Sequence, residues 1–155
     1  HAVINDALFL HSLPPRERRA GLAEAVKVAL IRDARFFDTI EARLDALAAF
    51  EPDALESVVR ASARHHLEHI ATAGDPFEKG SARPLDFGHW AAHKLEQMTD
   101  FAVTHGEAVA IGLALDLLYA VRIGLLAAPT AERVLRVLNG LGFRLYHPAL
   151  EQRGV

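Results

Sequence analysis

Proline and glycine divide this chain into stretches whose apolar residues recur at helical rather than strand spacing. After Pro14-Pro15, the segment from Arg16 to Asp33 sets Leu22, Val26, Ala29 and Leu30 at that period. Arg35 to Phe50 carries Phe36, Ile40, Leu44 and Leu47 on one stripe and closes before Pro52. Pro52 to Thr72 reads as a third helix, with Pro52 suited to a first turn where its missing N–H costs nothing. Gly74 to Pro84 is a loop rich in Gly, Pro and Ser. Further helices are expected over His89 to Thr99, Glu107 to Gly124 and Pro129 to Gly140, with Gly140 as the last one's stop. Only Ala2-Val3-Ile4 and Phe143-Arg144-Leu145-Tyr146 look strand-like, both near the ends. The expected fold class is all-α.

A chain of 155 residues, 51% of them apolar, can bury the core of one globular domain. Its formal charge of −3 offers no attraction to nucleic acid or to an anionic membrane surface. Cysteine is absent, which removes disulfides and thiolate metal ligands and permits an intracellular setting. No basic segment followed by an apolar one marks a signal peptide. The longest apolar stretch, Ala108 to Leu126, contains Asp116 and Arg122 and reads as a buried helix rather than a membrane span.

Three short words each hold a residue able to grip a divalent metal: Gly21-Leu22-Ala23-Glu24-Ala25-Val26-Lys27, Asp86-Phe87-Gly88-His89-Trp90-Ala91-Ala92-His93, and His105-Gly106-Glu107-Ala108-Val109-Ala110-Ile111-Gly112. One carboxylate and two imidazoles fill three positions of a zinc-like shell and leave one for a substrate oxygen or water. Each word also has a plain structural explanation. Glu24 and Lys27 are spaced as an ordinary solvated helix pair, although the apolar residues around them suggest a helix buried on most sides, where a carboxylate needs a cation. His89 and His93 lie four apart on one helix face, fit for one metal or for a pair of core rings bonded to backbone. Trp90 stands where H-E-x-x-H requires Glu, so a zinc-protease reading fails. Thr104 and Glu107 fit a helix-capping turn, and a helix N-terminus disfavours a protonated imidazole, while metal binding requires a neutral one. His65, His66 and His69 share a mixed face with Arg64 and Glu68 and read as solvated helix surface.

Taken together, these words resemble the dehydroquinate synthase-like sugar phosphate cyclases, whose C-terminal domain reads G-x-A-E-x-x-K, N/D-x-G-H-x-x-x-H and H-G-E-A-V-A-x-G in this order. Leu13-Pro14, Arg19-Ala20-Gly21 and Phe36-Phe37 also fit the family's text, and the match runs from about Asn5 to the end. The resemblance implies the multi-helical C-terminal domain of a two-domain enzyme. It makes Glu24, His89 and His105 the metal ligands, with Zn²⁺ or Co²⁺ as the ion. Lys27 would contact a substrate hydroxyl and His93 would help place a phosphate. The implied reaction removes phosphate from a seven-carbon sugar phosphate and closes the ring by an internal aldol step, with NAD taking and returning a hydride.

The chain departs from the family pattern at three pocket positions. His66 falls where dehydroquinate synthases place a lysine, Arg83 is one residue closer to the histidine, and Asp86 replaces the usual Asn. In those synthases the Lys and Arg hold a substrate carboxylate, a contact that a neutral imidazole makes poorly. An Asp at this position resembles the relatives that cyclise sedoheptulose 7-phosphate, so the expected substrate need not be an acid. No strand followed by a Gly-rich phosphate turn is present, so the NAD-binding domain and the family's extreme C-terminal segment are expected to lie outside residues 1–155, which alone should be inactive. The remaining expectations are a cytoplasmic homodimer that binds a phosphorylated sugar but neither nucleic acid nor membrane. Two alternatives stand beside this reading. Iron-dependent alcohol dehydrogenases share the two-domain plan but usually supply one Asp and three His, and a non-catalytic helical module would use the histidines for packing.

Overall fold

The computed structural model describes residue 4, residues 6–72 and residues 85–152. Seven α-helices and two 3₁₀ turns account for most of them, and no strand occurs among the described residues. A 3₁₀ turn, Ala7–Ser12, leads into α1, Pro15–Arg32, which opens on Pro15, one residue before the expected Arg16. Leu22, Ala23, Ala25, Val26, Lys27, Val28 and Ala29 of α1 are all buried, so its middle is covered nearly all round. Asp33 ends α1 and caps α2, Ala34–Ala42, its carboxylate accepting from the N–H groups of Arg35 (2.9 Å) and Phe36 (3.2 Å).

The second expected helix is interrupted. Arg43 leaves helical geometry at φ −108° and ψ 18°, α3 restarts at Leu44–Ala48, and Phe50 takes a left-handed φ of 57°. The apolar stripe crosses this break because α2 and α3 both face the core, with Phe36, Phe37, Ile40 and Leu47 buried. Helix α4, Pro52–Thr72, packs along α1 through Ala54, Leu55 and Val58. The strongest helix pair is α5, His89–Met98, with α6, His105–Arg122, and α6 also crosses α1. Helix α7, Ala128–Gly140, closes the core with Ala131, Val134, Val137 and Leu138. Its Arg133 reaches α2, pairing with Asp38 and Glu41 and lying 5.0 Å over the Phe37 ring.

Helix α6 comes very close to its neighbours through glycine. A Cβ at Gly106 would overlap the Ala20 carbonyl of α1, and one at Gly112 would overlap the Gly88 carbonyl just before α5. Gly140 is the last residue of α7 rather than its stop; it faces Leu44, and Gly142 supplies the left-handed turn at φ 89°. Residues 143–146 form no strand: Phe143 is buried into the helical core and the 3₁₀ turn Pro148–Glu151 follows soon after. Of the other strand-like run, Ala2 and Val3 lie outside the described residues. Among the described residues no helix is long and apolar enough to cross a membrane.

Candidate metal centre

Each helix of the α1, α5 and α6 group contributes one side chain to a common point. Glu24 lies midway along α1, His89 opens α5 and His105 opens α6. Glu24 Oε1 is 3.3 Å from His89 Nε2 and 3.5 Å from His105 Nε2, and the two rings are centred 5.2 Å apart. Donor atoms about 2.0–2.1 Å from one tetrahedral ion stand roughly 3.3–3.4 Å from each other, so these spacings fit a single zinc-like ion. Glu24 Oε1 is buried and has no hydrogen-bond partner among the described residues. An unpaired buried carboxylate oxygen is costly, and a cation between it and the two imidazoles would remove that cost.

The first ring is prepared for such a role by its surroundings. His89 Nδ1 stands 3.1 Å from the Phe87 carbonyl, which accepts its N–H and leaves Nε2 with a lone pair toward Glu24. Burial pushes the His89 pKa down and the Lys27 ammonium lowers it further, against the raising effect of the Phe87 bond, so the neutral ring is favoured. Gly88, left-handed at φ 77°, donates its N–H to Asp116 Oδ2 of α6 at 2.8 Å and so fixes the turn before His89.

Lys27 is 5% exposed, with Nζ 2.7 Å from Glu24 Oε2 and 3.5 Å from His89 Nε2. Lys27, which spacing alone would place in water, is therefore drawn into the interior, while Glu24 stays partly exposed. His93 is exposed one turn after His89, its ring 5.5 Å from His89 and 6.0 Å from His105. Asp86 is also exposed, and its carbonyl accepts the His89 N–H at 2.8 Å. His66 does not join this group. It lines a cleft of about 470 Å³ between α1 and α4, whose wall includes Gly21, Ser62 and Glu24, so Glu24 is common to the cleft and the histidine cluster. Arg83 lies outside the described residues.

Three features escape the sequence reading. Glu96 Oε1 lies 3.1 Å from His105 Nδ1. Arg16 of α1 grips Glu107 of α6 with Nε at 2.9 Å and Nη2 at 2.6 Å, and Nη2 also donates to the Ala102 carbonyl at 2.8 Å. Glu107 accepts the Thr104 N–H at 3.0 Å, the capping contact its spacing predicts, and the Arg16 bond above all holds its pKa down to about 2. The α4 histidines also differ from a solvated face. His69 is buried with Nδ1 3.5 Å from Arg32, and His65 turns inward, 3.5 Å from Asp33 and 5.3 Å from the Phe36 ring. The end of α1 and the start of α2 cover that side of α4, leaving His66 exposed.

Comparison with known proteins agrees with this architecture. The family model of the 3-dehydroquinate synthase C-terminal domain matches residues 21–153. A 3-dehydroquinate synthase of Halorhodospira halophila is 41% identical over 97% of this chain, which covers 42% of that protein. A 2-epi-5-epi-valiolone synthase of Streptomyces glaucescens is 39% identical over 96% of this chain and 38% of its own length. Among solved structures, the 2-epi-5-epi-valiolone synthase ValA of Streptomyces hygroscopicus, with NAD⁺ and Zn²⁺ bound, superposes with a TM-score of 0.83 at 36% identity, over 93% of this chain and 40% of that one. The chain thus spans about two fifths of the length of these relatives. It belongs to the 3-dehydroquinate synthase-like sugar phosphate cyclase family, and its all-helical fold is that of the family's C-terminal domain.

Proposed function

We propose that this chain is the metal- and substrate-binding helical domain of a sugar phosphate cyclase, with Glu24, His89 and His105 holding one divalent ion, zinc or cobalt. The observation that carries this reading is the buried Glu24 Oε1, without a donor and flanked by two imidazole nitrogens at 3.3 and 3.5 Å. When bound, the ion would supply a Lewis acid for substrate hydroxyl and carbonyl oxygens, and NAD, held by a part of the protein outside this chain, a hydride acceptor and donor. Lys27 would donate from Nζ to a substrate oxygen beside Glu24, its position fixed by the 2.7 Å pair with Oε2. His93, exposed beside the two ligand rings, would meet the phosphate. Burial of Lys27 among apolar helix neighbours would keep water from that donor.

The substrate in this proposal is a neutral seven-carbon sugar phosphate, such as sedoheptulose 7-phosphate, rather than the carboxylate-bearing substrate of a 3-dehydroquinate synthase. His66 on the cleft that shares Glu24, and Asp86 at the turn before His89, support it, because neither offers a fixed cation to a carboxylate. The test is turnover of both sugar phosphates by the full-length protein, with metal content measured on the same preparation. One equivalent of zinc or cobalt and preferential use of the neutral sugar are expected. Rapid 3-dehydroquinate formation would overturn the substrate assignment. A protein that binds no divalent metal would overturn the metal centre.

A further inference from the structure

We propose that Glu96 is a positioning residue of this centre: its carboxylate keeps the proton of His105 on Nδ1, so that Nε2 presents its lone pair beside Glu24. The inference rests on the metal-binding reading above and extends it to a residue outside the three ligands.

The placement follows from the helix period and one short connection. His89, His93 and Glu96 lie at i, i+4 and i+7 on α5, a single stripe that faces the start of α6. Residues 99–104 then return the chain, with Asp100 (φ 50°) and Phe101 (φ 59°) both left-handed, and His105 arrives opposite Glu96. There Nδ1 is 3.1 Å from Glu96 Oε1 while Nε2 of the same ring is 3.5 Å from Glu24 Oε1. A neutral imidazole carries one N–H, which can serve only one of these two carboxylates. The shorter contact takes it, and the other nitrogen is left free to coordinate. The Glu96 side chain is only 13% exposed, so its carboxylate is held at the contact even though the His105 ring is 48% exposed. His89 meets the same requirement with the Phe87 carbonyl, so the two rings are oriented by different acceptors, one neutral and one charged.

His93, Glu96 and His105 also place ligand atoms within 4.8 Å of one another, an arrangement that a second ion could use. That ion would claim His105 Nδ1, and the ring would then have to surrender both nitrogens. His93 is exposed and stacks at 27° to His105, whereas Glu96 already stands at hydrogen-bond distance, so the single-ion arrangement is favoured.

Two measurements on the wild-type protein, E96A and E96Q test the proposal. Imidazole ¹⁵N shifts, recorded without metal above the titration range of the rings, should show His105 protonated at Nδ1 in wild type and E96Q and shifted toward the Nε2–H form in E96A. Zinc titration against a chromogenic chelator should give one equivalent per chain, with affinity weakened about 10–100-fold in E96A and largely restored in E96Q, whose amide oxygen still accepts. Thermal melts identify any variant that fails to fold, and E96Q keeps the proposal testable if E96A does. An Nε2–H tautomer in the wild type, or equal zinc affinity in E96A, overturns the assignment. Two equivalents in wild type with one lost in E96A would make Glu96 a direct ligand and overturn it too. Absence of zinc binding with the Nδ1–H tautomer intact would sink the metal reading while leaving the role of Glu96 standing.

Discussion

Glu24 serves two neighbours at once, giving Oε2 to the buried Lys27 ammonium and turning Oε1 toward the histidines. Removing it leaves Lys27 in the interior without its anion, a loss of roughly 3–5 kcal/mol for a fully buried pair. The Glu24 side chain is 34% exposed, which reduces the effect. Glu24→Ala should therefore lower the melting temperature, and the double variant with Lys27→Met should recover part of the loss. If the double variant is no more stable than E24A, the buried charge is not the cause. Glu107 gives a pH signature. Its pKa is about 2 against an ordinary 4.5, chiefly because Arg16 binds the ionised form. Folding thus lowers the pKa, so the contribution is full above pH 4.5 and fades as pH falls toward 2. Melting curves of wild type and Glu107→Gln should be furthest apart above that range and converge at its acid end, and a pH-independent gap would contradict the pairing. At this scale the sequence words already single out Glu24, Lys27, His89 and His105. They are silent on Glu96 and Arg16. Helix period sets Glu96 on the stripe of His89 and His93, but its partner His105 and Arg16's partner Glu107 are fixed only by the α5–α6 return and the α1–α6 crossing.

Helix α6 is the element against which the others are placed. Gly112 seats the Gly88 carbonyl, Gly106 seats Ala20, and Asp116 holds the Gly88 N–H. Gly112→Ala would press a methyl group into the Gly88 backbone of the turn that carries His89. It should destabilise the fold by at least the usual cost of overpacking, about 1–3 kcal/mol, because backbone must move to admit it. Because the same turn aims His89, zinc affinity should fall together with stability; a melting shift with unchanged affinity would separate the seat from the site. The order of the helices is legible from apolar periodicity, which reports the face each helix buries, and from proline placement, which marks where helices begin. The break at Arg43 is not legible, because Ile40, Leu44 and Leu47 keep a helical period across it and the turn is set by packing of α3 on α7. The inward turn of His65 and His69 is hidden for a similar reason: their neighbours on α1 and α2 are remote in sequence, and on α4 they share a mixed face with Arg64 and Glu68.

Across the whole molecule, the described residues divide into a site-bearing group, α1, α5 and α6, and a supporting layer of α2, α3, α4 and α7 packed around it. Leu138 of α7 is fully buried, on an element that contributes no side chain to the histidine cluster. Leu138→Ala should cost about 2–5 kcal/mol as a cavity-forming change. For a domain of this size that is a drop of several degrees or more in melting temperature, at roughly 2–4 °C per kcal/mol. Zinc affinity measured well below the transition should be unaltered, and a parallel loss would mean that the layer shapes the site directly. The proposed donors also have a polymer consequence. His89 and His105 come from one helical hairpin, while Glu24 lies roughly 65 positions earlier in the chain. An ion shared among them would act as a clasp between distant parts of the polypeptide, closing a large ring in the denatured chain. A covalent cross-link over such a ring reduces the freedom of the unfolded state by an amount worth roughly 4 kcal/mol. Loading the centre would then tether the two ends of that ring, and Glu24, the lone remote donor, would be the link whose loss opens it.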